Sequence, residues 1–368
     1  MSLLSIAAAI AVLGLLIFVH ELGHFLAART QGIYVNRFSI GFGPVLWKYQ
    51  GPETEYALRG IPLGGYVGFP DDDPDSPIPP QDPNLLKNRP VLDRAIVISA
   101  GVLANLLFAF LLILTQMGIF GIPQITYQPG VVVPQLATES SLVALQAGIE
   151  AGDRITAVNG YPLEAKAESL TYLMSQIQSH PGEPLQLEIV RGDTTQNLTI
   201  VPELGEDGRA KVGVQLAPNV EVTRQQTLNP IQLVGAAAQE FERITQLTVT
   251  GFIKLFQHLD QAASQVSGPV AIVAIGADIV RSNFGQLFQF AALISINLAV
   301  INILPLPALD GGQLVFLLIE GLRGKPLPTR IQEGVMQTGL VLLLGLGMVL
   351  IVRDTVNLTG LAWMQQLF

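Results

Sequence analysis

His20-Glu21-Leu22-Gly23-His24 ends an apolar run that begins at Leu3 and carries no charged residue as far as Val19. A helix crossing a bilayer core of roughly 30 Å needs about 20 mostly apolar residues. The run is long enough to span, and the two histidines sit at its far end. Residues four apart share one face of a helix, so both imidazoles reach a single metal ion, while Glu21 is close enough to act on a water that the metal holds. Zinc lowers the pKa of such a water from about 15.7 to about 7, where a carboxylate can take the proton. The bland reading is a chance match of five residues. Against it, ionisable side chains at the end of an uncharged span are costly in lipid and functional by default.

Working outward, three more runs lack Asp, Glu, Lys and Arg: Ala95–Phe120, Phe284–Leu304 and Gly334–Val352. Only 13% of the 368 residues are charged, against about a quarter in ordinary soluble proteins, and the net charge is −9. That balance excludes a disordered chain and argues against nucleic acid as a partner. There is no cysteine, so any metal must be held by His, Asp or Glu. The first run lacks a basic leader and exceeds the length of a signal-peptide core, which favours a retained span over a cleaved one. Basic residues cluster in the first connection (Arg29, Arg37, Lys48, Arg59, Lys87, Arg89, Arg94) and in the third (Arg323, Lys325, Arg330). Those connections therefore face the cytosol, with both termini outside.

The first and third spans run in the same direction, so their C-terminal ends emerge on one face. That brings Asp310, in Asn302-Ile-Leu-Pro-Leu-Pro-Ala-Leu-Asp310-Gly-Gly312, toward His20 and His24 as a third ligand. His180 and His258 fall on the opposite side. The competing reading of Asp310 is a plain N-cap for the helix that follows it.

Between the spans the composition changes. Phe38–Phe69 alternates around glycines and reads as a β-hairpin or small sheet, and the acidic, proline-rich stretch Pro70–Pro90 wraps or links. From about Tyr127 to Pro218 the chain turns soluble, with strands expected at Val131–Val133, Leu185–Val190, Leu198–Val201 and Val212–Leu216 and helices at Leu142–Gln146 and Ser169–Ser179. Ala147-Gly-Ile149, Gly152-Asp-Arg-Ile155 and Val158-Asn-Gly160 resemble a bacterial PDZ domain, with Asn-Gly closing a hairpin. Ile231–His258 reads as an amphipathic helix on the membrane surface or against the bundle, or as a plain connector.

Together, H-E-L-G-H in the first span, N-x-x-P-x-P-x-x-D-G after the third and a PDZ domain between the second and third resemble the site-2 proteases, most closely the bacterial regulator of sigma-E protease type. The resemblance implies a membrane α-helical bundle of four transmembrane helices with a membrane-associated β-element and one inserted α+β PDZ domain. Along the chain this gives 1–28 (first span), 29–93 (cytosolic or re-entrant β-element and acidic loop), 94–120 (second span) and 126–218 (PDZ domain). A helical connector at 228–282, the third span with its motif at 284–312, a cytosolic helix and loop at 313–333, and the fourth span and tail at 334–368 follow.

The resemblance further implies Zn²⁺ held by His20, His24 and Asp310, with Glu21 as general base. Asn297 and Asn302 would hold the substrate backbone or the developing oxyanion, the alternative being hydrogen bonds between helices. Gly60–Phe69 would be an edge strand, with Gly64, Gly65, Tyr66 and Val67 binding an unwound substrate, the alternative being a structural hairpin that covers the site. Gly101-Val-Leu-Ala-Asn105 matches the family's second-span motif, with Val102 where proline is common. Members of the closest type often carry two PDZ domains, and this chain has room for one. The implied substrates are single-span membrane proteins already trimmed by another protease, with the PDZ domain filtering them. The implied location is a bacterial inner membrane, a plastid membrane being the alternative, with the PDZ domain extracytoplasmic. Two rivals stay open: a catalytically silent PDZ scaffold, and a transporter with polar midplane residues.

Overall fold

Leu3–Thr30 forms one helix, α1, started by Ser2, whose hydroxyl accepts a hydrogen bond from the Ser5 amide at 3.2 Å. The computed structural model describes residues 2–73, 76–134, 142–205, 208, 210–257 and 266–359. They fall into two compact units, Met1–Phe120 with Thr227–Phe368, and Gly121–Gln226.

Among the described residues, four helices of the first unit are long and apolar enough to cross a membrane: α1, α2 (Val91–Phe120), α7 (Phe284–Ile303) and α9 (Thr329–Thr359). Each overlaps an expected span. The second and fourth extend beyond the expected uncharged cores, because a helix continues past the apolar stretch that a bilayer requires. α1 and α2 pack closely where Gly23 meets Ala100: a Cβ at Gly23 would lie 2.4 Å from the Ala100 carbonyl oxygen. Without a hydrophobic drive between helices in lipid, small residues that admit such approach are what hold spans together.

After α1 the chain forms two long, bent strands, β1 (Arg37–Gln50) and β2 (Glu55–Gly68). Residues 37–40 are sandwiched by β2 on both sides. They run antiparallel to 65–68, with Phe38 opposite Val67 and Ile40 opposite Gly65, and parallel to 55–58, with Phe38 opposite Tyr56. The far halves pair as well, Lys48 opposite Ala57 and Gln50 opposite Glu55. Residues 65–68 therefore have one side unpaired among the described residues. In the acidic segment Leu85 is buried, and the Asn84 carbonyl accepts from the Tyr34 amide at 3.1 Å; residues 74 and 75 of it lie outside the described residues.

The connector differs from the expectation of one amphipathic element. α5 (Pro230–Gln257) packs on the bundle, with Phe241 edge-to-face against Phe110, and a separate helix, α6 (Pro269–Ser282), follows it. Residues 258–265 of the expected connector lie outside the described residues. α8 (Asp310–Arg323) ends at Gly324 in the left-handed conformation, φ +69°. Its Glu320 forms an ion pair with Arg94 of α2.

The second unit is α+β. Its sheet has the order β10 (Ala217–Gln225), β3 (Ile122–Val132), β4 (Arg154–Val158), β6 (Leu185–Arg191), β7 (Thr194–Ile200), with β5 (Tyr161–Pro162) also on β4, and β8 (Glu203–Leu204) and β9 (Ala210–Lys211) pair with each other. α3 (Leu142–Gln146) and α4 (Glu168–Ser179) accompany it, and Ile149, Ile155, Leu173, Leu187 and Ile189 form its core. Asn159 and Gly160 both have positive φ, +49° and +79°, as the two-residue hairpin between β4 and β5 requires. The strand expected at Val212–Leu216 does not form; apart from a single bridge at Val214 its residues are irregular. The chain closes the unit with β10 instead, which pairs with β3 from Ala217 opposite Val132 to Gln225 opposite Ile122. Much of that ribbon is exposed, so it lacks the one-sided apolar alternation that marks a half-buried strand. The unit accordingly spans 121–226 rather than 126–218.

Candidate metal centre

The ends of α1 and α8 meet. Asp310 Oδ2 lies 3.2 Å from His20 Nε2 and 3.4 Å from His24 Nε2, and the two Nε2 atoms are 3.2 Å apart. These are three sides of one small triangle. Ligands at about 2.0–2.1 Å from a tetrahedral zinc stand about 3.3 Å from each other, so the three atoms already have the spacing that one ion imposes. Asp310 Oδ2 is buried and has no hydrogen bond, which leaves a buried acceptor facing two imidazole nitrogens. The donor set of two imidazoles and a carboxylate suits zinc. The residues fit the metal.

The histidine rings are oriented from α2. His24 Nδ1 lies 2.8 Å from the Val97 carbonyl oxygen. Only an N–H can donate to a carbonyl, so the proton sits on Nδ1 and the Nε2 lone pair faces the triangle. His20 Nδ1 lies 3.2 Å from the Asn105 side-chain amide. The atom placed there is Asn105 Nδ2, while its Oδ1 is buried without a partner; turning the amide over would let the oxygen accept from an Nδ1 proton, the tautomer that binds metal through Nε2. Gly101 lies against both rings: a Cβ there would be 2.3 Å from His24 Nε2 and 2.8 Å from His20 Cε1.

Asp310 does not cap its own helix through its side chain. It is the first residue of α8, Leu309 holds the N-cap position, and no side-chain cap bond forms there. Asp310 arrives through a tight, irregular passage. Ala308 has φ +69°, unusual for a residue with a side chain, and its amide donates to Met336 Sδ at 3.3 Å. The following glycines are required by closeness, since Cβ atoms at Gly311 and Gly312 would lie 2.1 Å from Leu304 O and 2.3 Å from Leu306 O.

Glu21 is buried beside the triangle, and the β-element reaches it. A Cβ on Gly65 would lie 2.7 Å from Glu21 Cγ, so only glycine lets the strand come this close. Gly64 has φ +137°, and a Cβ there would strike the Phe42 ring at 2.3 Å. Tyr66 accepts a hydrogen bond from Arg59 at 3.2 Å, and Val67 packs on the cluster of Ala28, Ile33, Val35 and Val97. Gly65 thus lies at the site and Gly64 turns the chain against Phe42, while the side chains of Tyr66 and Val67 fix the strand. Asn297 and Asn302 are half-buried on α7, and neither makes a side-chain hydrogen bond to a described residue. The inter-helix alternative thus finds no partner.

The sequence matches peptidase family M50 over residues 8–346. A Nostoc sp. protein whose name includes "zinc metalloprotease" is 60% identical, covering 99% of this chain and all of that protein. The chloroplastic membrane metalloprotease ARASP of Arabidopsis thaliana is 46% identical over 96% of this chain and 79% of its own. Protease RseP of Yersinia pestis is 32% identical over 94% of this chain and 97% of its own. Among solved structures, a PDZ domain from Listeria monocytogenes overlaps 24% of this chain and 86% of its own at 21% identity, with a TM-score of 0.20, too low to bear on the fold.

Proposed function

The chain belongs to peptidase family M50 and is a membrane metalloprotease of the site-2 type; from that premise we propose that His20, His24 and Asp310 hold a zinc ion and that Glu21 is the general base. The observation that carries this reading is the triangle of 3.2, 3.2 and 3.4 Å between donor atoms from two elements, with Glu21 buried beside it. When bound, zinc supplies Lewis-acid polarisation of the scissile carbonyl. Glu21 takes a proton from the attacking water and returns it to the amine nitrogen as the C–N bond breaks. Water's hydroxyl ends on the carbonyl carbon and its proton on the new amine, so the hydrolysis balances.

The substrate is a single-span membrane protein already shortened by another protease. A helical span hides its carbonyls in its own hydrogen bonds, and an unwound segment needs new partners. The unpaired side of residues 65–68, on a strand whose Gly65 lies against Glu21, supports the edge strand as that partner. Asn297 and Asn302, half-buried and without a side-chain hydrogen bond to a described residue, are available to bind substrate backbone. The 121–226 unit acts as a PDZ filter on the extracytoplasmic side, as the basic connections argue. The test is cleavage of a single-span substrate by purified protein in vesicles, wild type against Glu21→Gln. Loss of the base should slow cleavage by about 10²–10⁴-fold while bound zinc is kept. Near-normal turnover by Glu21→Gln removes Glu21 from this role.

A further inference from the structure

Toward its N-terminal half, α1 borders an apolar cleft of about 380 Å³ whose lining includes Ile10, Leu13, Ile61, Val270, Val273 and Ile351. The walls come from α1, β2, α6 and α9, and two of these elements also build the catalytic site. Leu13 precedes Glu21 by eight helical residues, about 12 Å. Ile61 precedes Gly65 by four residues, but the strand bulges between them, since Gly65 lies opposite Ile40 and Ile61 opposite Phe42. Measured along α1 the cleft lies about 12 Å from Glu21, so an extended chain lying beside that helix reaches it about four residues later.

Two of the walls are tied together by charges that the chemistry leaves unused. Asp354, 3% exposed on α9, accepts hydrogen bonds from the Ala271 amide at 2.9 Å and the Gly268 amide at 3.3 Å. It thereby caps the start of α6, whose own N-cap residue, Gly268, offers no side chain. Beside it, Arg353 donates to the Val266 carbonyl. Gly268 is pressed against the carboxylate, since a Cβ there would lie 2.5 Å from Asp354 Oδ2. Ile351 stands one turn before Asp354, and Val270 and Val273 lie at the start of the capped helix. The cap therefore sets the distance between opposing sides of the cleft. A buried carboxylate on a membrane helix is costly, and a cap brought in from a distant helix is an unusual way to start a short one.

We propose that this cleft is a specificity pocket for a large aliphatic side chain of the substrate, about four residues from the scissile bond, and that Asp354 is a positioning residue that sets its width. The proposal rests on the edge-strand reading above. The named lining residues are all aliphatic, which fits a side chain arriving from a membrane span. Moving that side chain from lipid gains little hydrophobic energy, so discrimination comes from packing. Its size should be about tenfold, the low end for an apolar pocket.

The full chain in phosphatidylcholine vesicles is given a single-span substrate carrying Leu, Ala or Phe at each position three to five residues from the mapped bond. One position should show about tenfold preference for Leu over Ala in kcat/KM. Val273→Trp or Ile351→Trp should erase that preference. Ile351→Ala, which enlarges the cleft and serves if the tryptophan variants aggregate, should move it toward Phe. Asp354→Ala should weaken the preference through KM rather than kcat, and Asp354→Asn, which keeps one acceptor oxygen for two amides that meet separate carboxylate oxygens, should restore it in part. A preference unchanged in the Val273 and Ile351 variants, or Leu and Ala substrates altered by one common factor, overturns the pocket and leaves the cleft to lipid. Cleavage indifferent to proline at both Tyr66 and Val67 overturns the edge-strand reading instead, whatever the cleft variants do.

Discussion

Gly101 shows how much of the metal centre depends on what is missing. Its position against both histidine rings predicts that Gly101→Ala displaces them and releases zinc, although the residue binds nothing itself. Titration against a chelator should show the loss, and retained affinity would mean that the rings can move aside. Asn105→Ala, which removes the partner of His20 Nδ1, should weaken zinc about 10–100-fold in the same assay. Ala308 offers a backbone test: glycine should be tolerated at φ +69°, while valine should cost about 1–3 kcal/mol in a denaturant unfolding measurement. The sequence made His20, Glu21 and His24 readable because their spacing is that of one helical turn. It pointed to Asp310 through span direction. It could not assign roles to Gly101, Asn105 or Ala308 from spacing, because those depend on distances between helices.

Among the elements, the strand ending at Gly68 makes the sharpest demand. Along a strand, consecutive amides point to opposite sides. Of Tyr66 and Val67, one N–H therefore faces residues 37–40 and the other faces the free edge. Proline at the outward position should abolish cleavage and keep zinc, while proline at the inward one should damage the sheet itself. Equal, full activity of both variants would end the pairing proposal. The β-element was legible from its glycine-punctuated alternation. Its double pairing was not, because two long strands that bend and pair twice leave no local mark. The helix Pro269–Ser282 escaped separate recognition because it is too short to read as a span and too apolar to stand out from its neighbours. The β3–β10 ribbon escaped because exposure on both faces removes the periodic signal.

For the whole molecule, the units make separable predictions. Replacing Gly121–Gln226 by a flexible linker should keep zinc and the cleavage of a short-ectodomain substrate, while changing discrimination against an untrimmed one. A cut at 126 and 218 would instead sever the β3–β10 ribbon and confound the result. Inside that unit, two hydrogen bonds from Arg191, both 2.8 Å, hold the Asp153 carboxyl below its usual range, burial opposes them, and the Glu150 amide lowers it further. A depressed carboxylate contributes stability that is full above the unfolded value of about 3.9 and fades as pH falls through the folded one. Hydrogen-exchange protection factors across this unit, taken relative to the intrinsic rate at each pH, should therefore fall below about pH 4, and Asp153→Asn should flatten that dependence. The central claim is most directly tested by X-ray absorption at the zinc edge on the purified full chain. The account predicts one tightly bound zinc with two imidazole ligands and carboxylate oxygen at about 2.0–2.2 Å, the oxygen shell changing in Asp310→Ala. Absence of tightly bound zinc, or a spectrum that Asp310→Ala leaves unaltered, would contradict it.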